Sequence, residues 1–235
     1  MCSINHDKKA IFLHIGKTAG IYIRENIDKY YNFELFLLKR TDHSKFVEFD
    51  ENLNKNKLLT FCCKKGIIDY YKSSEFINDV MDMDETKWNE YFKFVFVRNP
   101  YDRAVSGWNY NMETNKLNID FNIYIEMGSI VSDEEYWHCF LPQSESVIDE
   151  NGDYFVNFVG KFETLEEDFQ KILKRIGFKK ILHNPEVKKN NRNHNSYKKY
   201  YDQKTLDIVN KIYEKDFELF GYKKYELIED FLSDE

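Results

Sequence analysis

Four polar side chains in segment 98–106 have the types and spacing of an anion-binding site: Arg98, Asn99, Arg103 and Ser106. The last three are spaced by four and three residues, so they share one face of a helix near its amino end. Free backbone N–H groups and the positive pole of a helix attract anions there. The segment therefore predicts a phosphate-bearing, nucleotide-like ligand. The alternative is that Arg98 pairs with a carboxylate such as Asp102 and that Ser106 is a surface hydroxyl.

A second candidate anion site is the loop 16–20, which reads Gly-Lys-Thr-Ala-Gly. Its backbone N–H groups and the ammonium of Lys17 would converge on one anion at the start of the following helix. The Gly-Lys-Thr triplet imitates the end of a Walker A motif. That motif needs a further Gly five residues before Gly16, where this sequence has Ile11. The pattern therefore disfavours an ordinary nucleoside triphosphatase.

Each of these two sites follows an apolar run that predicts a buried strand. The runs are Ala10–Ile15 and Phe94–Val97, and both lack the polar alternation of a strand with one wet face. After the second run, Asn99 is a good N-cap and Pro100 suits the first helical position, so a helix begins there. Open α/β sheets bind their ligands at the carboxyl ends of such strands. The pattern predicts an α/β fold.

The remaining elements are predicted to be scaffold. Residues 156–162 read as a strand, and Thr164 with Glu167 predicts a capping box for a helix that ends at Gly177. A last amphipathic helix is predicted from about Gln203 to Gly221. Residues 111–153 show little periodicity, so we expect a long irregular segment that serves as an acceptor-side lid.

The motifs resemble those of the sulfotransferases that use 3′-phosphoadenosine 5′-phosphosulfate (PAPS), in the branch that includes carbohydrate sulfotransferases and small microbial relatives. Segment 12–20 is similar to the family's 5′-phosphosulfate loop, and segment 96–106 is similar to its 3′-phosphate motif. Further similar stretches follow in the same order, at 142–143, 159–169 and 213–222. The resemblance spans nearly the whole chain. It implies a P-loop-type central parallel β-sheet flanked by helices, in a single domain over residues 1–235.

The resemblance also implies roles for individual residues. Lys17 to Gly20 would hold the 5′-phosphosulfate, and Arg98 and Ser106 would hold the 3′-phosphate. Lys17 is the main electrostatic catalyst in this interpretation, and no metal is required. A loop at 186–201, with Arg192, is expected to close over the nucleotide. The complete set of donor-binding candidates is Gly16, Lys17, Thr18, Ala19, Gly20, Ile21, Tyr22, Arg98, Ser106 and Arg192.

The sequence departs from the family pattern in segment 16–22, which contains the predicted 5′-phosphosulfate loop, and at the general base. Gly16 stands where the family usually has Pro, and Ile21 and Tyr22 stand where Thr and Ser are common, so we expect weaker donor binding. Relatives commonly use a His after the first helix to take the acceptor's proton, and segment 57–61 contains none. His43 is the candidate base because of its near-neutral reference pKa. The other candidates are His14, His138, Asp42 and Glu51.

Composition bounds the remaining possibilities. The chain has 235 residues, 42% of them hydrophobic and 17% aromatic, which suits one folded domain rather than a disordered chain. The net charge of −7 opposes general binding of nucleic acid. The polar first nine residues and the lack of a long apolar stretch predict a soluble cytoplasmic protein without a membrane span. The four cysteines show no metal-binding spacing.

The leading hypothesis is a PAPS-dependent sulfotransferase that acts on a hydroxyl of a sugar or small metabolite and releases 3′-phosphoadenosine 5′-phosphate (PAP). A second hypothesis is a non-catalytic protein that binds PAP or PAPS. It is motivated by the absence of the His that relatives have after the first helix and by the altered residues in segment 16–22. The third is a P-loop kinase or triphosphatase, which the Gly-Lys-Thr triplet favours and Ile11 opposes.

Overall fold

The structure is a computed structural model that describes residues 2–36, 89–115, 118–130, 140–149, 152–179 and 194–234. The strands are β1 (Cys2–Asn5), β2 (Ala10–Leu13), β3 (Glu34–Phe36), β4 (Phe92–Val97) and β5 (Phe158–Lys161). The helices are α1 (Gly20–Tyr31), α2 (Pro100–Asn115), α3 (Phe121–Ile130), α4 (Leu165–Arg175), α5 (Gln203–Ile212), α6 (Glu214–Phe220) and α7 (Ile228–Ser233). Short 3₁₀ helices lie at Ser144–Ser146, Phe162–Thr164 and His194–Tyr200.

The described strands form one sheet in the order β3-β1-β2-β4-β5. Strands β2, β4 and β5 are parallel, whereas β1 is antiparallel to both β2 and β3. Phe12 pairs with Phe94, and Val97 pairs with Lys161. The carboxyl ends of the three parallel strands therefore open onto one edge of the sheet. The predicted α/β class with a central parallel sheet is confirmed, and β1 and β3 add an antiparallel edge that the sequence analysis did not predict.

Two apolar clusters hold the helices in place. Helices α1 and α4 cover one face of the sheet, where Ile27 and Ile172 pack in one buried cluster with Phe12 and Phe94. The second cluster lies among α2, α3, α5, α6 and α7 and contains the fully buried Tyr101. Burial of these aromatic and branched side chains supplies the main favourable free energy of folding. The clusters fix α1 and α2, the helices that follow the two candidate sites.

Residues 111–153 are more regular than expected. Helix α2 continues to Asn115, and α3 occupies residues 121–130. Phe121 and Ile125 of α3 are buried in the second cluster, and the indole N–H of Trp108 donates to the backbone oxygen of Ile119, 2.8 Å away. Tertiary packing thus forms a helix that the weak periodicity of the sequence did not reveal. The role of this segment as a lid stays a prediction.

Helix termini after β5 also differ in part from expectation. Helix α4 ends before Gly177 as predicted, and Gly177 has a left-handed φ of 87°. The predicted capping box at Thr164 is wrong, because its hydroxyl donates to the carboxylate of Asp168 at 2.7 Å instead. The predicted last helix is divided into α5 and α6 at Tyr213.

Helix α5 begins with a capping box that the sequence analysis missed. The carboxylate of Asp202 accepts from the backbone N–H of Thr205 at 2.8 Å, and the Thr205 hydroxyl accepts from the backbone N–H of Asp202 at 3.0 Å. Partial burial opposes ionisation of Asp202, but the hydrogen bonds from Thr205 outweigh it and lower the pKa of the Asp202 carboxyl. The box satisfies backbone donors that the helix start leaves without intrahelical partners.

Candidate active site

The loop between β2 and α1 is a tight turn that needs unusual backbone angles. Lys17 and Ala19 both have left-handed φ values, 69° and 67°. Such a conformation costs free energy in a residue other than Gly and persists where the surroundings hold it. The hydroxyl of the buried Thr18 donates to the backbone oxygen of Ile15 at 2.9 Å, which closes the turn. The loop leads directly into the amino end of α1.

Gly20, the first residue of α1, lies against the ring of His14. A Cβ atom added at Gly20 would lie 1.7 Å from Nε2 of His14, well inside van der Waals contact. The His14 ring also lies beside Phe12, with their centroids 6.0 Å apart. Position 20 therefore requires Gly because of a close approach, and His14 packs against the start of α1.

Arg98 follows β4 and connects the two candidate sites. Its Nε and one terminal nitrogen lie 2.7 Å from Oδ2 of Asp102. Its other terminal nitrogen donates to the backbone oxygen of Lys17 at 3.2 Å, and its guanidinium carbon is 4.0 Å from the centroid of the Phe162 ring. Arg98 is only 3% exposed. The pairing of Arg98 with Asp102, the alternative considered from sequence, is therefore present.

Arg103 anchors the neighbouring carbonyl of the same loop. Its Nε donates to the backbone oxygen of Gly16 at 3.0 Å, and a terminal nitrogen donates to the backbone oxygen of Leu141 at 2.9 Å. The side chain is fully buried. Two arginines of one motif thus hold two consecutive carbonyls of the loop, which supports its left-handed residues. Of these two arginines, Arg98 is the one that pairs with the carboxylate of Asp102.

Helix α2 brings Ser106 and Tyr110 to the same side of the site. The helix begins at Pro100 as predicted, and the side-chain oxygen of Asn99 accepts from the backbone N–H of Tyr101 at 3.0 Å. Ser106 is 4% exposed, so it is not the surface hydroxyl of the alternative interpretation. Tyr110 lies one turn further along, and its ring centroid is 4.1 Å from Nζ of Lys17. The cationic loop and α2 therefore face each other.

A buried polar network fixes the backbone at Arg98. Oε1 of Gln143 accepts from the Arg98 N–H, and Nε2 of Gln143 donates to the Arg98 oxygen, both at 2.9 Å. The backbone N–H groups of Gln143 and Ser144 donate to the carboxylate of Asp216 at 2.8 and 2.7 Å. Gln143, Ser144 and Asp216 are fully buried. The similar stretches noted at 142–143 and 213–222 thus fix the backbone position from which the Arg98 side chain extends.

Residues after β5 contact the candidate site at the carboxyl edge of the sheet. Oε1 of Glu163 accepts from the backbone N–H of Asn99 at 2.7 Å, and Oε2 accepts from the Tyr222 hydroxyl at 2.9 Å. Burial and the Glu163 carboxylate raise the pKa of Tyr222. Burial, followed by the carboxylates of Asp102 and Glu163, raises the pKa of Tyr197. Both phenols therefore stay protonated at neutral pH, and the Tyr222 hydroxyl acts as a hydrogen-bond donor.

The profile of the sulfotransferase family matches residues 2–223. The chain belongs to the sulfotransferase family. The chain is also similar to an uncharacterized protein of Archaeoglobus fulgidus, with 32% identity over 93 residues that cover 39% of this chain and 72% of that protein. No solved structure matches it. The family resemblance carried by the motifs is confirmed, and sulfuryl transfer is the general activity that membership supports.

The fold brings most of the predicted donor-binding residues to one edge of the sheet. Gly16, Lys17, Thr18, Ala19 and Gly20 form the loop after β2, and Arg98 and Ser106 lie next to it. Ile21 and Tyr22 differ from each other: the Ile21 side chain is 62% exposed, whereas Tyr22 is packed in the core. Binding of a ligand by these residues stays a prediction. His43 and Arg192 lie outside the described residues, as do His138, Asp42 and Glu51.

The sequence analysis missed Tyr110 and Phe162 as neighbours of the site. Tyr110 is four residues after Ser106, so helical spacing alone places both on one face of α2. No comparable pattern marks Phe162, which reaches Arg98 through the parallel pairing of β4 and β5. Among the described residues, no group of His, Cys, Asp and Glu is arranged to hold a metal ion. No described helix is long and apolar enough to cross a membrane.

Proposed function

We propose that this protein transfers the sulfuryl group of PAPS to a hydroxyl-bearing acceptor and releases PAP. The observation that carries the proposal is the hydrogen bond from Arg98 to the backbone oxygen of Lys17, because it joins the two anion-binding motifs across 81 residues of sequence. Both motifs then lie at the carboxyl edge of parallel strands, the usual ligand edge of an open α/β sheet. A ligand with two separate anionic groups fits this arrangement.

The residues present suit the two ends of the donor. The loop 16–20 and the first turn of α1 offer backbone N–H groups and the Lys17 ammonium to the 5′-phosphosulfate. Within the part of the chain that the structure describes, the contacts of Arg98 with Asp102 and Lys17 use three of its five N–H donors, and the other two are proposed to bind the 3′-phosphate. Ser106 would add a hydroxyl donor. Arg192 is proposed to close over the nucleotide.

Charge stabilisation by positioned side chains would supply most of the catalysis. In the reaction, the bond from sulfur to the 5′-phosphate oxygen breaks and its electron pair stays on that oxygen, while the acceptor oxygen forms the new bond to sulfur. Lys17 would neutralise the charge that develops on the leaving oxygen, as positioned cations do in phosphoryl transfer. The acceptor's proton would pass to a general base, for which His43 stays the proposed residue. No step in this scheme needs a metal ion.

The acceptor is proposed to be a carbohydrate or another small hydroxyl compound. The net charge of −7 makes a highly sulfated polyanion a poor match, because like charges repel. Residues 111–153 would form its lid, residues 186–201 would cover the nucleotide, and residues 1–235 would act as a single domain.

Calorimetric titration tests the donor site. PAP, and ATP with Mg²⁺ in parallel, are titrated into wild type and into Arg98→Ala, Arg98→Lys and Arg175→Ala. Arg175 is a matched control, because its guanidinium carbon lies 5.0 Å from the ring of Phe92, at the opposite end of β4. We expect tight binding of PAP by wild type and by Arg175→Ala, and weak binding by both Arg98 variants.

Arg98→Lys tests whether any loss of PAP binding comes from unfolding of the protein and not from loss of the guanidinium. It keeps a charge beside Asp102 but loses the planar fork that binds two oxygens. Failure of wild type to bind PAP, or a preference for ATP with Mg²⁺, overturns the proposal. Binding of PAP without turnover of PAPS, across a panel of sugars and small alcohols, would favour a non-catalytic binding protein.

A further inference from the structure

The aromatic ring of Tyr110 lies against the cationic end of Lys17. The Lys17 nitrogen is 4.1 Å from the ring centroid, inside the distance of about 6 Å at which a ring and an ammonium attract each other. Both side chains are half-buried, so water screens the attraction only in part. The motifs of the sequence analysis assign no role to this tyrosine.

Lys17 needs such a partner for physical reasons. Its ammonium sits on a flexible four-carbon stem, and the loss of rotamer freedom on fixing a lysine is large. The backbone of Lys17 is held through its carbonyl by Arg98 and has a left-handed φ. These contacts orient the backbone but leave the direction of the long side chain to other groups. The ring of Tyr110 supplies a contact at the end of that side chain.

Helix α2 gives the ring a fixed position. Tyr110 is one turn after the buried Ser106, on the same face of the helix. Asn99, just before α2, bonds to Glu163 in the 3₁₀ helix after β5. Arg98 bonds to Gln143, which in turn bonds to a carboxylate of α6. The helix that would hold the 3′-phosphate therefore also presents the ring to the catalytic lysine.

We propose that Tyr110 is a positioning residue that holds the Lys17 ammonium over the loop 16–20, ready for the leaving oxygen of the donor. The inference rests on the proposed function, because it assigns Tyr110 a part in the same transfer. Preorganised charge accelerates a reaction because no reorganisation is needed when charge develops in the transition state. Loss of the ring should therefore lower the rate of transfer more than the affinity for the nucleotide.

The kinetic test compares Tyr110→Phe, which keeps the ring, with Tyr110→Leu, which removes it. Formation of PAP from PAPS is followed with water and with a panel of monosaccharides as acceptors, and the dissociation constant of PAP is measured by calorimetry. We expect Tyr110→Leu to lower kcat by about three- to thirtyfold, the range of a partly desolvated contact between a cation and a ring. Its affinity for PAP should stay within about twofold of wild type.

Tyr110→Phe and a control variant at Tyr30 make the result specific to the ring of Tyr110. Tyr110→Phe should retain most of the wild-type kcat, because the ring face and not the hydroxyl contacts the Lys17 ammonium. Tyr30→Leu removes a ring that lies 5.2 Å from Nζ of Lys29, outside the site, and should leave kcat unchanged. Equal rates for Tyr110→Leu and wild type would overturn the inference, as would a loss in Tyr110→Phe as large as in Tyr110→Leu.

NMR spectroscopy detects the contact of Lys17 with the Tyr110 ring independently of catalysis. Protein labelled with ¹³C at the lysine Cε is observed by NMR, and the Lys17 signal is assigned by its absence in Lys17→Arg. The ring should shift the Lys17 Cε protons upfield in wild type and Tyr110→Phe but not in Tyr110→Leu. An unshifted signal in wild type overturns the contact. Failure of wild type to bind PAP overturns the proposed function instead, so the two failures are distinguishable.

Discussion

Substitution of Asp102 by Asn tests how strongly the buried charge of Arg98 depends on its carboxylate. The pair is almost fully enclosed, with side-chain exposures of 4% for Arg98 and 9% for Asp102 and a distance of 2.7 Å. Asn has nearly the same shape but carries no charge. The substitution therefore leaves packing intact and removes the compensating charge.

The expected loss of stability follows from burial. Removing one partner of a buried pair costs about 3–5 kcal/mol, and we expect about 3 kcal/mol because the Asn oxygen still accepts one hydrogen bond. For a chain of this size each kcal/mol lowers the unfolding midpoint by about 2–4 °C, so the midpoint should fall by about 6–12 °C. PAP at a hundred times its dissociation constant should raise the free energy of unfolding by about 2.7 kcal/mol if the proposed donor site is correct.

The assay is thermal unfolding by circular dichroism, with Glu90→Gln as the control. Glu90 lies 2.6 Å from the Lys9 nitrogen, but both side chains are more than half exposed, at 51% and 59%. Exposed pairs contribute little, so the midpoint of Glu90→Gln should match wild type. Equal midpoints for Asp102→Asn and Glu90→Gln would refute the reasoning, since burial would then make no difference to the pair.

Three further perturbations have defined outcomes. Asp202→Ala removes the N-cap of α5 and should cost about 1 kcal/mol in denaturant unfolding at pH 7. Because folding lowers the pKa of Asp202, its contribution exists above the unfolded pKa of about 3.9 and is lost as pH falls through the lower folded value. Gly20→Ala forces a Cβ into the ring of His14 and should destabilise the protein by about 1–3 kcal/mol. Ser106→Ala should weaken binding of PAP by about ten- to a hundredfold, as expected for a lost hydrogen bond to a charged group.

Each of these has its own control. For Asp202→Ala, a difference from wild type that is as large at pH 3 as at pH 7 would contradict the assigned pKa direction. For Gly20→Ala, the double variant with His14→Ala should recover much of the loss, and no recovery would mean that the ring is not the obstacle. For Ser106→Ala, the matched variant is Ser144→Ala, a buried serine whose hydroxyl has no partner among the described residues. Equal affinities for PAP in the two serine variants would contradict the role of Ser106.

Local patterns predicted the parts of the fold that depend on short stretches of sequence. The apolar runs of β2 and β4 and the Asn99-Pro100 helix start are examples, because burial and capping are decided by neighbouring residues. Two short strands were missed: β1 and β3 have four and three residues, and their pairing joins segments that local patterns do not connect. At Thr164, the hydroxyl donates to the Asp168 carboxylate and makes no cap bond to a backbone N–H, a choice of partner that the sequence does not show.

By itself, the sequence determined that two stretches with the residue types of anion-binding sites each follow an apolar run, and that the chain resembles the sulfotransferases. Only the tertiary structure decided what the charged side chains contact. The hydrogen bonds from Arg98 and Arg103 to the loop carbonyls span 81 and 87 residues, and the contact of Lys17 with Tyr110 likewise crosses the sheet edge. A guanidinium can donate to a carboxylate, a carbonyl or a phosphate, so residue type alone does not fix its partner. Its partners are set by the parallel register of β2, β4 and β5, which brings distant segments together.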